Sequence, residues 1–262
     1  MGTRVGAGWF FKSCGQCQFC LSNRQNLCSH FEGTGRDAHG GFATHMLIPQ
    51  QAAIPIPSTL EDHIAAPCLC AGAVGYRAWL IAVENVGTID SIGFMGYGAS
   101  AHLLTAFLRQ KFPHIHIHVF ARREESRRLA RDTGAGTVTP PHEAPPSPLQ
   151  AIIDTTPAWE PVIHALDFLQ PGGVLVINAI AKESTDQNAL MHIDYRRHLW
   201  MEKKLTTVAN VTPRDLNEFL TLCGSIKLPI HVQTYAFDQL PQAIIDLRHS
   251  RGVGAKVLLT PP

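Results

Sequence analysis

Four cysteines, Cys14, Cys17, Cys20 and Cys28, fall within fifteen residues at the spacing C-x2-C-x2-C-x7-C. Thiolates this close along a chain can close a tetrahedral shell around one zinc ion without any long-range folding, and zinc accepts four sulfur ligands. Gly15, Gln16, Gln18 and Asn23 lie between them, small or polar residues that let the chain wrap around an ion. Two short disulfides in such a knot would be geometrically strained, and four thiols buried in a core would not need this spacing. The motif predicts a structural zinc lobe. Thiolates committed to a metal suit a reducing cytoplasm better than an oxidising compartment.

The chain has 262 residues, enough for one large domain or two medium ones with a real core. Its 45% hydrophobic and 16% charged content is ordinary for a globular protein. A net charge of +1 gives no reason to expect nucleic acid or an anionic membrane as partner. No apolar run approaches the length that spans a bilayer, and no signal peptide is visible. Cys223, in a leucine-rich helical stretch, reads as a buried inert thiol.

Up to about Gly72 the chain is rich in Gly, Pro and Cys, with short β-like pieces such as 43–48. Beyond it, apolar strands alternate with helices, the signature of an α/β, doubly wound parallel sheet with crossover helices. Expected strands are 91–95, 116–120, 151–154, 174–178 and 205–209. Leu103, Leu104, Phe107 and Leu108 form a helical stripe that faces the sheet. The proline-rich segment 139–148 is a surface loop, a helix follows over 240–249, and a last strand over 256–259.

Gly96-Tyr97-Gly98-Ala99-Ser100-Ala101 fits G-x-G-x-x-G/A between an apolar strand and an amphipathic helix, the context that makes it a dinucleotide fingerprint. Gly96 permits the tight turn, Gly98 lets backbone approach a diphosphate, and Ala101 allows close helix–sheet packing. The helix beginning at Ala99 and Ser100 would present free N–H groups to the anion. About twenty residues on, where NAD sites place an acid, the chain carries Arg122 and Arg123. Two guanidiniums suit a 2′-phosphate, so the preference among NAD(P)(H) is for NADP(H); Glu124 or Glu125 remain alternatives for a ribose contact. His114, His116 and His118 alternate along the second strand and resemble a metal cluster only superficially.

Taken in order, several motifs resemble the zinc-dependent medium-chain alcohol dehydrogenases, with the bacterial propanol-preferring type as the nearest subgroup. They are Val5-Gly6-Ala7-Gly8-Trp9-Phe10 before the cysteines, Gly40-Gly41-Phe42-Ala43, Pro67-Cys68-Leu69-Cys70-Ala71-Gly72, the Gly96 motif, His198-Leu199-Trp200-Met201-Glu202-Lys203, Val208-Ala209-Asn210-Val211-Thr212 and Gly254-Ala255-Lys256-Val257-Leu258. The resemblance implies a GroES-like β-rich catalytic domain (residues 1–72 and 231–262) interrupted by a Rossmann dinucleotide-binding domain (73–230). It implies Cys70 as one ligand of a catalytic zinc, and Ile177, Asn178, Ala179 and Lys256 as further cofactor contacts. Cys68 stands where that family has leucine and reads as core. The other two catalytic ligands, a cysteine and a Gly-His-Glu histidine, belong before Val5 in the resembled family. The chain is therefore expected to be N-terminally truncated.

The activity so implied is reversible oxidation of a primary or secondary alcohol to an aldehyde or ketone by an enzyme using zinc and NAD(P)(H). A cytoplasmic homodimer or homotetramer is implied by analogy. Rival expectations are a catalytically inactive dinucleotide binder and a zinc-independent quinone or enone reductase. A nucleic-acid-binding zinc ribbon would need a basic face and distant C-x2-C knuckles, which are lacking.

Overall fold

The computed structural model describes residues 2–249 and 251–259. The chain divides into two compact units, one of residues 1–74 with 209–262 and one of residues 75–208.

The second unit is built on a six-stranded sheet, every neighbouring pair parallel. In spatial order its strands are Lys204–Thr207, Leu169–Ile177, Leu149–Asp154, Ser91–Met95, His116–Phe120 and Thr137–Thr139. Numbered along the chain the order is 6-5-4-1-2-3, so the direction of winding reverses between Ser91–Met95 and Leu149–Asp154. A parallel sheet covered on both faces needs near-continuous apolar strands. Ile92, Phe94, Met95, Ile117, Val119, Phe120, Ile152, Val174, Leu175 and Val176 have no exposed surface.

Helix Ala99–Lys111 is buried through the whole run from Ala101 to Leu108, so it is a core helix rather than one with a solvent face. Leu103, Leu104, Phe107 and Leu108 are inside as expected, and so is His102, whose Nδ1 lies 3.1 Å from the Thr133 hydroxyl. Five of the six second-unit strands overlap the expected ones, with Leu169–Ile177 starting five residues earlier than expected, and the sixth, Thr137–Thr139, is not among those expected. The short strand Thr137–Thr139 leaves the surface loop to begin at Pro140.

The first unit has little regular sheet. Val5–Gly6 pairs antiparallel with Ile54–Pro55, Phe10–Lys12 with Glu32–Gly33, and Val232–Tyr235 runs parallel to Ala255–Leu258. Residues 43–48, expected as a β-piece, form bends and extended chain without ladder partners. An apolar stretch with no strand beside it cannot satisfy its backbone as a ladder. Helix Pro213–Gly224 starts in a capping box of Thr212 and Asp215 and packs on Ile54–Pro55. That packing is why the chain returns to this unit at Ala209, earlier than the residue 231 expected from sequence.

Residues 62–86 form one helix interrupted by a π-turn at Cys68–Gly72, which follows Pro67. Proline has no N–H to donate and loosens the ladder at that point. At 25 residues and a mean hydropathy of 1.4 the helix is long and apolar enough to cross a membrane, unlike the expectation from sequence. Its apolar window is 56% buried inside the protein, as in the core helix of a globular fold.

Phe120 stacks on Phe168 at 5.2 Å and fills a cluster with Met95, Ile152 and Leu166. Replacing it with alanine leaves a cavity that neighbours held in strands and in helix Glu160–Phe168 cannot close. Phe120→Ala is expected to cost about 3–5 kcal/mol in denaturant-induced unfolding, and a loss under about 1 kcal/mol would contradict the packing described.

Candidate cofactor and metal sites

The four cysteines converge. Their sulfur atoms all lie within 4.8 Å of one another, and Cys20 and Cys28 are buried. Gly15 turns the chain between the first two ligands at φ +73°, and Asn23 turns it back after the short helix Gln18–Leu21 at φ +56°. Sulfur separations are 3.5 Å for Cys14–Cys28, 3.6 Å for Cys17–Cys20 and 3.9 Å for Cys14–Cys20. A disulfide would bring two sulfurs to about 2.0 Å. A tetrahedron with zinc–sulfur bonds of about 2.3 Å has edges of about 3.8 Å. The cage therefore fits one zinc ion.

Backbone N–H groups also point at the sulfurs, among them that of His30, 3.3 Å from Cys28 Sγ. The backbone N–H groups of Gln16 and Cys17 hold the Cys14 thiol down at about 6. For Cys17 the Cys20 backbone N–H is outweighed by lost water and by the other three thiols, which push it up to about 11. Four thiolates this close repel one another without a cation, and a divalent ion removes that conflict. Trp9, Phe31 and Arg36 brace the lobe, with the guanidinium 5.0 Å from the Trp9 ring centre.

In the second unit, the glycine turn lies at the carboxyl ends of the strands, beside the reversal of strand order. Gly96 has φ +82°, and a Cβ there would lie 2.9 Å from Thr155 Oγ1 and from Thr156 Cγ2, so only glycine fits. A Cβ on Gly98, by contrast, would meet nothing within 4 Å. That open space sits at the N-terminus of Ala99–Lys111, where Gly98 is the cap and no side chain satisfies the first N–H groups. Free helix N–H groups facing open space make a cradle for a diphosphate.

The structure sorts the other sequence candidates. The Tyr97 side chain turns inward, 6% exposed, with its hydroxyl raised to about 12 by burial, so only its backbone belongs to the turn. The Ser100 hydroxyl accepts a 2.9 Å hydrogen bond from Asn178 Nδ2, which leaves Ser100 its backbone N–H for an anion. Asn178 Oδ1 is buried and has no hydrogen-bond partner. Ile177 is buried and Ala179 packs against the core cluster.

Arg122 and Arg123 are exposed at the end of His116–Phe120, and Arg123 is the N-cap of helix Glu124–Thr133. Glu124, the alternative ribose acceptor, is taken by Arg127 and Arg131 at 2.7 and 2.9 Å, and those ion pairs hold its carboxyl below the usual range, Arg131 foremost. Lys256 and Cys70 belong to the first unit, and the Lys256 ammonium donates to the Arg251 carbonyl at 2.7 Å.

His116 and His118 are bonded to Thr137 and Thr139 at 2.7 and 3.0 Å, and burial followed by the neighbouring His116 holds His118 down at about 4. Those two rings serve the sheet. Cys70 lies on the π-turn with residue surface open to solvent while nearby protein partly desolvates its thiol and raises it, and Cys68 has no exposed surface. Among the described residues the four-cysteine cage is the one group of three or more His, Cys, Asp or Glu that could hold a metal ion. The described residues thus do not fit a catalytic zinc at Cys70, because one thiolate cannot supply its three protein ligands.

Sequence reasoning missed Asp154, Thr155, Thr156 and Lys182, which sew the neighbouring loops together at the same edge of the sheet. The signal for Asp154 was present as an acid closing an apolar strand; Lys182 lies in a loop with no motif.

Residues 1–58 match the alcohol dehydrogenase GroES-like domain family. The chain is 34% identical over 258 residues to a protein of Mycobacterium tuberculosis named probable alcohol dehydrogenase AdhA, a match covering 98% of this chain and 72% of that relative. Among solved structures, the alcohol dehydrogenase of Aeropyrum pernix superposes with a TM-score of 0.83 at 20% identity, over 98% of this chain and 76% of that one. The CAD of Helicobacter pylori, solved in complex with NADP(H), gives 0.80 at 18% identity over 98% and 75% of the two chains. Those two likenesses establish the shared fold, and the match over 98% of this chain establishes descent: the chain belongs to the alcohol dehydrogenase family with a GroES-like domain.

Proposed function

We propose that the chain binds a nicotinamide dinucleotide, NADP(H) in preference to NAD(H), in the redox interconversion of small alcohols with aldehydes or ketones, and carries a structural zinc in its four-cysteine lobe. The observation that carries this reading is the open, uncapped helix N-terminus behind Gly98 at the reversal of strand order. Bound there, the dinucleotide supplies or accepts a hydride at its nicotinamide ring. The backbone N–H groups of Ala99 and Ser100 hold the diphosphate. Arg122 and Arg123 meet the adenosine end, where Glu124 is already occupied by Arg127 and Arg131. Asn178, with one buried amide oxygen unpaired, offers an acceptor near the other end.

In this reading the first unit is the GroES-like catalytic domain and the second the Rossmann domain. Cys70, expected from the resemblance as one catalytic-metal ligand, has no companion ligands among the described residues. That lack favours a second reading, cofactor binding without turnover. NADPH oxidation with a short aldehyde in excess zinc, run beside an NADPH binding titration, separates the two: turnover supports the enzyme, and tight binding without turnover supports the silent binder.

None of the seven cysteines, all among the described residues, is joined in a disulfide, in keeping with the proposed cytoplasmic setting. A homo-oligomer accords with the exposure of Trp200, Met201 and Leu205 at the edge strand Lys204–Thr207.

Gly98→Asp adds a carboxylate to open space, so it should leave the unfolding midpoint nearly unchanged while weakening NADPH binding at least about a hundredfold by repelling the diphosphate. Unchanged binding would place the diphosphate elsewhere. Arg122→Ala combined with Arg123→Ala should cost NADPH affinity about tenfold or more and NADH affinity much less; equal loss of both would remove the arginines from cofactor choice. Elemental analysis should find zinc in the wild type, lost in Cys28→Ser together with stability; zinc retained in that variant would contradict the cage.

A further inference from the structure

Asp154 and Lys182 are two buried charges that the binding scheme above leaves unused. Asp154 closes the strand Leu149–Asp154 with no exposed side chain, and Lys182 comes from the loop beyond Asn178 with 9% of its side chain exposed. The Lys182 ammonium pairs with the Asp154 carboxylate, donates to the carbonyls of Thr156 at 3.0 Å and Ala158 at 2.6 Å, and lies 5.5 Å from the Trp159 ring centre. The second Asp154 oxygen accepts from the Thr156 N–H at 3.0 Å and its hydroxyl at 2.7 Å. Asp186, at the far end of the same loop, accepts from the Trp159 and Glu160 N–H groups at 2.7 and 2.9 Å. The turn 154–159 and the loop 178–186 are thus clamped to each other, with Lys182 at the centre.

Stability alone is a poor account of this arrangement. Removing two charges from water often costs more than their attraction returns, and apolar side chains of similar size hold loops as well. What the ion pair adds is direction, because an ammonium with three acceptors allows one arrangement of the two segments.

The place matters as much as the chemistry. In a doubly wound sheet the first three strands cradle one mononucleotide half and the last three cradle the other. Arg122 marks the adenosine half, so the turns after Leu149–Asp154 and Leu169–Ile177 border the nicotinamide half. The clamp is tied into the diphosphate turn as well: Thr155 donates to the Met95 carbonyl at 3.0 Å, and Asn178 reaches Ser100.

We propose that Lys182, through Asp154, is a positioning residue that fixes the walls of the nicotinamide half of the cofactor site. The inference rests on the dinucleotide reading above, and its test separates the two. Wild type and the double variant Asp154→Asn with Lys182→Met, which leaves no orphan charge, are titrated calorimetrically with NADPH and with 2′-phospho-ADP, the fragment of NADPH that keeps the 2′-phosphate and lacks the nicotinamide half. 2′-Phospho-ADP affinity should stay within about twofold, which also reports a folded variant, while NADPH affinity falls about tenfold. Unchanged NADPH affinity, or parallel loss of both ligands, would overturn the proposal. A wild type that binds neither ligand would overturn the dinucleotide reading and this inference with it.

Discussion

Four sulfur atoms held within reach of one ion are what the first unit depends on. Its antiparallel strands are two or three residues long, and such short pairs are not stable by themselves in water. Chain order there comes from turns that a cage fixes, at Gly15 and Asn23, and from aromatic and guanidinium groups stacked around it. A bound cation would tie Cys14 to Cys28 and so close a loop that hydrogen bonds alone leave weakly held. It would also settle the contradiction between a thiol that ionises near pH 6 and one held near 11 a few ångströms away.

The second unit answers a different constraint. Its order comes from burial, in strands with no exposed surface and a helix hidden on every side, and its chemistry comes from the place where the winding reverses. There Gly96 is required by a positive φ and by Thr155 and Thr156 packed against it, whereas Gly98 is required by nothing in the protein itself. A glycine facing empty space at an uncapped helix start makes sense as room left for a ligand. One motif thus holds two glycines retained for different reasons, one for folding and one for binding.

Much of this was legible in the sequence, for identifiable reasons. The cysteine spacing, the glycine turn and the strands Ser91–Met95 and His116–Phe120 are local signals, set by near neighbours, and the structure has them where the pattern puts them. What escaped depends on distant partners. Residues 43–48 have strand-like composition but no ladder partner. The inward turn of Tyr97 and the diversion of Ser100 to Asn178 are decided by residues far along the chain. The same holds for Lys182, an ordinary loop lysine by sequence and a buried cation in the fold. The return to the first unit at Ala209 follows from packing by helix Pro213–Gly224, which periodicity cannot assign to one sheet or another.

The account comes down to a metal shell made wholly of sulfur, with no second shell built around Cys70 by the described residues. X-ray absorption at the zinc edge on the purified chain tests that most directly. The account predicts a single first shell of four sulfurs at about 2.3 Å; a mixed shell, with nitrogen or oxygen at about 2.0 Å beside sulfur, would contradict it.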